Sequence, residues 1–164
     1  MAFSVRKSDR PIIKIPLTRP ELILEFIATI SLLLMIVTIM ISWSSIPEIV
    51  PKHFNITGEI DAWGKKNLLF SPITLAVITY TLLSVLTRFP HIYNYPVIIT
   101  AENAERQYRT ARTLITALKT EIVLSLFYIQ WTVISRTKAL FTPIIIFIIL
   151  GTVIYFIYRA YKAK

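Results

Sequence analysis

The chain has 164 residues, of which 55% are hydrophobic, with three glycines, no cysteine and a formal net charge of +9. The lack of cysteine excludes disulfides and thiolate chemistry. The apolar residues come in long blocks, the pattern of membrane spans and not of a soluble core.

A spanning helix needs about 20 mostly apolar residues to cross roughly 30 Å of hydrocarbon. Four blocks meet or nearly meet that length: Leu22–Trp43, Leu68–Thr87, Leu114–Ser135 and Ala139–Tyr158. They leave no room for a separate soluble domain, so the expectation is one integral membrane domain over 1–164. The fold class expected is all-α, a polytopic four-helix transmembrane bundle, with a cytoplasmic helical extension of the third span.

The N-terminal arm, "VRKSDRPIIKIPLTRPE", is basic and proline-containing. The apolar block after it is too long for a cleavable signal peptide and lacks a small-residue cleavage site, so it reads as an uncleaved first span. Glu25 lies in its first turn. The 22 residues between Glu25 and Glu48 can cross the bilayer alone, which puts Glu25 at the inner interface, solvated or paired with an arginine.

The outer loop, 44–67, holds "IPEIVPKHFNITGEIDAWGKK". Two prolines break the first span. "NITG" and "DAWG" each place Gly three residues after Asn or Asp, and both suit turns in which Asn55 or Asp61 accepts from backbone N–H groups. Phe54 and Trp63 are expected to cover the end of the bundle, and Lys65 and Lys66 to mark the return to the interface. His53 and Glu59 are left without a role in that turn chemistry. His53, Glu59 and Asp61 are the metal-ligand types present, but their spacing matches no established zinc pattern. No metal or cofactor is therefore assigned.

The second span has no charge between Lys66 and Arg88, and Pro72 falls in its first turn, where a missing N–H is tolerated. In the loop 88–113, the Phe89-Pro90 and Tyr95-Pro96 steps favour extended backbone. A helix is expected from Ala101, with Thr100 as N-cap and Glu102–Arg106 and Glu105–Arg109 as i,i+4 pairs. No breaker separates it from the third span, so one helix of roughly 50 Å would run to Ser135 and leave the membrane on the inner side.

Only 14 uncharged residues separate Glu121 from Arg136, about 21 Å of helix. Lys119 and Glu121 are therefore intramembrane or interfacial charges. Lys119 could snorkel out along its stem. Two residues are about 200° apart around a helix, so each needs a partner on another helix. The fourth span carries Pro143 near its start and Tyr155, Tyr158 and Tyr161 as an aromatic belt before a basic tail.

Orientation follows from Lys and Arg. The arm (Arg6, Lys7, Arg10, Lys14, Arg19), the second loop (Arg88, Arg106, Arg109, Arg112) and the tail (Arg159, Lys162, Lys164) hold twelve. The first and third loops hold five: Lys52, Lys65, Lys66, Arg136 and Lys138. Positive charge stays inside, which places both termini in the cytoplasm and the first loop in the periplasm. The same distribution argues against nucleic acid, because no basic surface is interleaved with base-stacking aromatics.

The outer-loop motif resembles a bacterial membrane family called domain of unknown function 1648. The correspondence runs through Pro47, Pro51, His53, Phe54, Asn55, Gly58, Glu59, Asp61, Trp63, Gly64 and Lys66. With the arm and the 89–108 segment, the resemblance covers about Arg10 to Ser135 and is closest to a Bacteroidetes-like branch. It implies a bacterial inner-membrane protein whose defining feature is the outer loop. The same domain begins SdpI-type immunity proteins, which carry further membrane helices after it.

No phosphate-binding loop, GxSxG, dinucleotide fingerprint or HExxH occurs, so no enzymatic activity is expected. The first functional expectation is a non-enzymatic membrane protein that binds a peptide or protein partner through His53, Phe54, Asn55, Gly58, Glu59, Asp61, Trp63, Gly64 and Lys66. The cytoplasmic helix with Glu102, Arg106 and Arg109 would be a second contact surface. The alternatives are a small transporter or accessory subunit with Glu121 titrating in the bundle, and a metal-dependent membrane enzyme using His53, Glu59 and Asp61. Beyond the bilayer and such a partner, no other ligand is implied.

Overall fold

The computed structural model describes residues 10–163. Arg6, Lys7 and Lys164 of the charge count lie outside them. Helix α1 spans Arg19–Ser42, strands β1 and β2 span Ile49–Phe54 and Ile60–Lys65, and helices α2, α3 and α4 span Phe70–Leu86, Ala104–Ser135 and Thr142–Lys162. Among the described residues four helices are long and apolar enough to cross a membrane, α2 being extended by a 3-10 turn, Lys66–Leu69. The chain is a multi-pass membrane bundle, as the apolar blocks predict. The loop 44–67 adds a two-stranded antiparallel sheet.

The longest helix organises the bundle. At 32 residues, α3 is about 48 Å long, and α1, α2 and α4 all pack on it. Hydrophobic burial gives little drive for helices to meet in lipid, so close packing and polar contacts hold them. Small residues line the helix contacts: Ala28 and Ser31 on α1, Ala76 on α2, and Thr116, Ala117 and Thr120 on α3 are buried. Leu22, Ile23, Phe26, Leu33, Met40 and Ile41 of α1 are exposed, as lipid-facing positions should be.

Most of the polar contacts run through α3, and one, Thr29 Oγ1 to Tyr80 OH at 2.8 Å, joins α1 to α2 directly. Near the N-terminal end, Arg112 Nε and Nη2 donate to Glu21 of α1 at 3.0 and 2.9 Å. The remaining Arg112 donors hold the backbone of the arm, Ile15 O at 2.6 Å and Pro16 O at 2.7 Å. Glu21 also closes a capping box with Thr18, its Oε2 accepting from the Thr18 N–H at 2.7 Å, and accepts from Thr113 Oγ1 at 2.9 Å. Two turns deeper, Lys119 Nζ donates to Glu25 of α1 at 2.5 Å and to Ser84 of α2 at 2.9 Å. On the opposite side of α3, Glu121 Oε1 accepts from Thr152 Oγ1 of α4 at 2.6 Å. Further along, Gln130 Nε2 donates to Met35 O of α1 at 2.9 Å.

Lys119 and Glu121 thus find partners on other helices, as their angular separation demands. Two expectations are corrected. Glu25 is paired with Lys119 and not with an arginine. Lys119 does not snorkel, because its side chain is 0% exposed; Glu25 and Ser84 lie within reach in the interior and hold it there.

The start of α3 is also corrected. Thr100 is not its N-cap. The Thr100 N–H donates to Asn103 Oδ1 at 2.9 Å, while Asn103 Nδ2 donates to Ile98 O at 2.9 Å. This turn delays the helix to Ala104. Glu102 sits in the turn, where the hydrogen bond from Thr100 holds its carboxyl below the usual range. Glu105–Arg109 forms the expected i,i+4 pair at 2.8 Å. The first turns of α3 are packed, with Tyr108 and Ala104 buried beside Ile99 and under Ile13, Ile15 and Tyr95. In the same strip, Tyr93 donates to Leu86 O at 2.7 Å, and burial pushes its phenol up to about 12.

Glu25→Gln should destabilise the bundle by about 3–5 kcal/mol, because it leaves the enclosed Lys119 ammonium without a counter-ion. Thermal unfolding of the detergent-solubilised protein measures this, and an unchanged midpoint would contradict the pairing.

Candidate functional site: the hairpin on the bundle end

The residues of the outer motif fold into one hairpin. Ile49 pairs with Lys65, Val50 with Gly64, Pro51 with Trp63, His53 with Ala62 and Phe54 with Ile60. The register slips twice, which leaves Lys52 as an extra residue in β1 and Asp61 as an extra residue in β2. Bulges of this kind suit a strand that contains a proline, since Pro51 supplies no N–H to the ladder.

The "NITG" turn forms as expected. Gly58 N–H donates to Asn55 O at 2.9 Å, and Asn55 Oδ1 accepts from the N–H groups of Thr57 and Glu59 at 3.0 and 2.9 Å. Gly58 has φ 79°, and a Cβ there would stand 2.6 Å from the Ala139 carbonyl carbon. "DAWG" is corrected: it is not a turn but β2 itself. Asp61 therefore does not cap backbone. Its Oδ1 accepts instead from His53 Nδ1 at 2.6 Å.

The hairpin is fixed to the α3–α4 connection. Ala139 N–H donates to Gly58 O at 2.7 Å, Lys138 Nζ donates to Glu59 Oε1 at 2.8 Å, and Arg136 Nη2 reaches Ile49 O at 3.2 Å. The Lys138 ammonium holds the Glu59 carboxyl below its usual range. At the base, Lys66 pairs with Glu48 at 2.8 Å and lies 4.9 Å from the Trp43 ring centre. Phe54 packs with Trp43 against the core formed by Ile39, Ile46, Val50, Leu69 and Val133.

Phe54 therefore covers the bundle as expected, but Trp63 does not. It is 53% exposed, because strand alternation puts it on the outward face with Asp61 and Lys65. Trp43, at the end of α1, takes the covering role. Gly64 lets the strand lie close, since a Cβ there would meet Leu68 Cδ1 at 2.5 Å.

The three metal-type residues do not converge. His53 and Asp61 touch, while Glu59 turns to Lys138. Among the described residues no group of three His, Asp or Glu side chains could hold a metal ion. The outward face offers a His–Asp pair, an indole and a lysine, which can make hydrogen bonds and stacking contacts.

Sequence reasoning missed several contacts. Glu21 and Arg112 were not singled out, although Thr18-Arg19-Pro20-Glu21 is a legible capping box. The Glu59–Lys138 bridge had no local signal, because its partners lie in separate loops.

Two outcomes test this geometry. Gly58→Ala should lower the unfolding midpoint, since it combines a positive φ, a penalty of about 1–2 kcal/mol, with a clash against Ala139. Lys138→Ala should destabilise at neutral pH only. A carboxyl held low in the folded state adds stability above its unfolded value, and this is lost as pH falls through the folded one. The two proteins should therefore unfold alike in acid; a difference that persists there would contradict the bridge.

Residues 30–79 match the family model described as Domain of unknown function (DUF1648), a stretch running from within α1 through the hairpin into α2. No curated protein and no solved structure matches the chain. The motif of the hairpin lies within this matched stretch, so residues 30–79 are similar to the DUF1648 family.

Proposed function

We propose that the chain is a non-enzymatic protein of the bacterial inner membrane that binds a peptide or protein partner through its hairpin. The termini lie in the cytoplasm and the hairpin in the periplasm. The observation that carries this reading is the outward face of a hairpin pinned to the bundle at both ends: Trp63, Lys65 and the His53–Asp61 pair are exposed on a fixed support. A preformed aromatic surface loses little freedom on binding, and exposed tryptophan is a common centre of recognition. The basic excess at the arm, the 88–113 loop and the tail supports the orientation. An SdpI-like immunity, sensing or accessory-subunit role is the form such binding would take.

A photo-crosslinking residue placed at Ile56, at the exposed hairpin tip, tests the reading in intact cells. We expect one defined adduct that is lost in Trp63→Ala and in the double variant His53→Ala/Asp61→Ala. No adduct, or an adduct indifferent to those changes, would sink it.

A second reading, a small transporter or accessory subunit, is favoured by Glu121. Its Oε2 is buried without a hydrogen-bond partner at an apolar cleft between α3 and α4, and ionisable groups inside membranes often serve transport. If Glu121→Gln leaves ion and substrate flux into liposomes unchanged, this reading fails.

A further inference from the structure

A large open cavity lies at the other end of the molecule, about 980 Å³ between the arm and the C-terminal end of α2. Its outer wall is a strap. Arg10 Nη1 donates to His91 O and Tyr93 O at 3.2 and 2.7 Å, and Arg112 holds Ile15 O and Pro16 O. The segment between these anchors is thus held away from α2 by its own hydrogen bonds, so the space is built into the fold.

Four charges line the cavity besides His91: Lys14, Glu25, Arg88 and Arg112. Arg112 is neutralised by Glu21, and Glu25 by Lys119. Lys14 and Arg88 are exposed and have no carboxylate partner among the described residues. The cavity therefore carries an excess of two positive charges. The helix end does not oppose an anion with bare carbonyls. Leu83, Ser84, Val85 and Leu86 of α2 have their oxygens taken by Thr87, Arg88, Phe89 and Tyr93.

Beside the polar Tyr80, Ser84 and Thr87, the lining holds uncovered apolar side chains: Ile12, Leu17 and Phe89 are all exposed. These residues flank the start of α1 and the end of α2, the level at which two spans meet the headgroup region. Unpaired cations beside exposed apolar side chains at that depth complement a phosphate ester attached to a hydrocarbon chain. Basic pockets between spans hold anionic lipid headgroups in this way.

We propose that this cavity is a binding site for an anionic phospholipid. Lys14 and Arg88 meet the phosphate, and Ile12, Leu17 and Phe89 lie along the first part of the acyl chain. The Glu25–Lys119 pair forms the neutral floor beneath it.

The test is lipid binding to the full chain in detergent micelles, read by native mass spectrometry with phosphatidylglycerol and phosphatidylcholine of the same chains. Two cations near the surface predict roughly a thirty-fold preference for phosphatidylglycerol. Lys14→Ala/Arg88→Ala should bring the two lipids to near parity, while Lys14→Arg/Arg88→Lys retains the preference. Lys52→Ala/Lys65→Ala, at the hairpin end, should also retain it. Equal binding by the wild type, or a preference that survives in the Lys14→Ala/Arg88→Ala protein, overturns the proposal. Displacement of the lipid by inorganic phosphate alone would assign the site to a free phosphate and overturn the lipid occupant.

Discussion

The structure depends first on one buried ion pair. Glu21 is fully enclosed, and Arg112 covers it from α3 with a two-pronged contact. An isolated carboxylate could not stay charged there. Each guanidinium nitrogen of Arg112 is used: Nε and Nη2 go to Glu21, and Nη1 and Nη2 to the Ile15 and Pro16 carbonyls. The same two side chains thus set the start of α1, the path of the arm and the position of α3. Once the arm is placed, so is the cavity behind it.

Below that pair, polar contacts substitute for the hydrophobic drive that lipid removes. One face of α3 meets α1 and α2, and the opposite face meets α4. Lys119 gathers α1 and α2, Glu121 takes α4 through Thr152, and Gln130 binds the α1 backbone. In hydrocarbon an unmatched polar group costs several kcal/mol, so such contacts favour one arrangement strongly. At the far end the core is apolar again, and there Trp43, Phe54, Ile46 and Val50 seat the hairpin. The bundle therefore presents a rigid hairpin at one end and a strapped cavity at the other.

Much of this was legible in the sequence because the bilayer imposes a length. The four apolar blocks predicted a bundle of four long apolar helices, and the 200° between Lys119 and Glu121 excluded a pair between the two. The hairpin was not legible as a sheet. Pro51 and the bulge at Lys52 break the alternation that marks a strand in β1, and Asp61 with Gly64 imitates a turn. The family motif drew attention to His53 and Glu59 without revealing their partners. His53 is answered by Asp61 in its own hairpin, but Glu59 is answered by Lys138, far along the chain. Glu21 was overlooked because it sits at a helix start, where an acid needs no special explanation.

A double-mutant cycle on Glu21 and Arg112, followed by thermal unfolding in one detergent, tests the central claim most directly. Glu21→Gln and Arg112→Met should each destabilise by about 3–5 kcal/mol, since each strands a buried partner. The combined variant should lose far less than the two together, leaving a coupling of at least about 1.5 kcal/mol. Strictly additive effects, or single variants as stable as the wild type, would contradict the pair as the constraint on which the bundle rests.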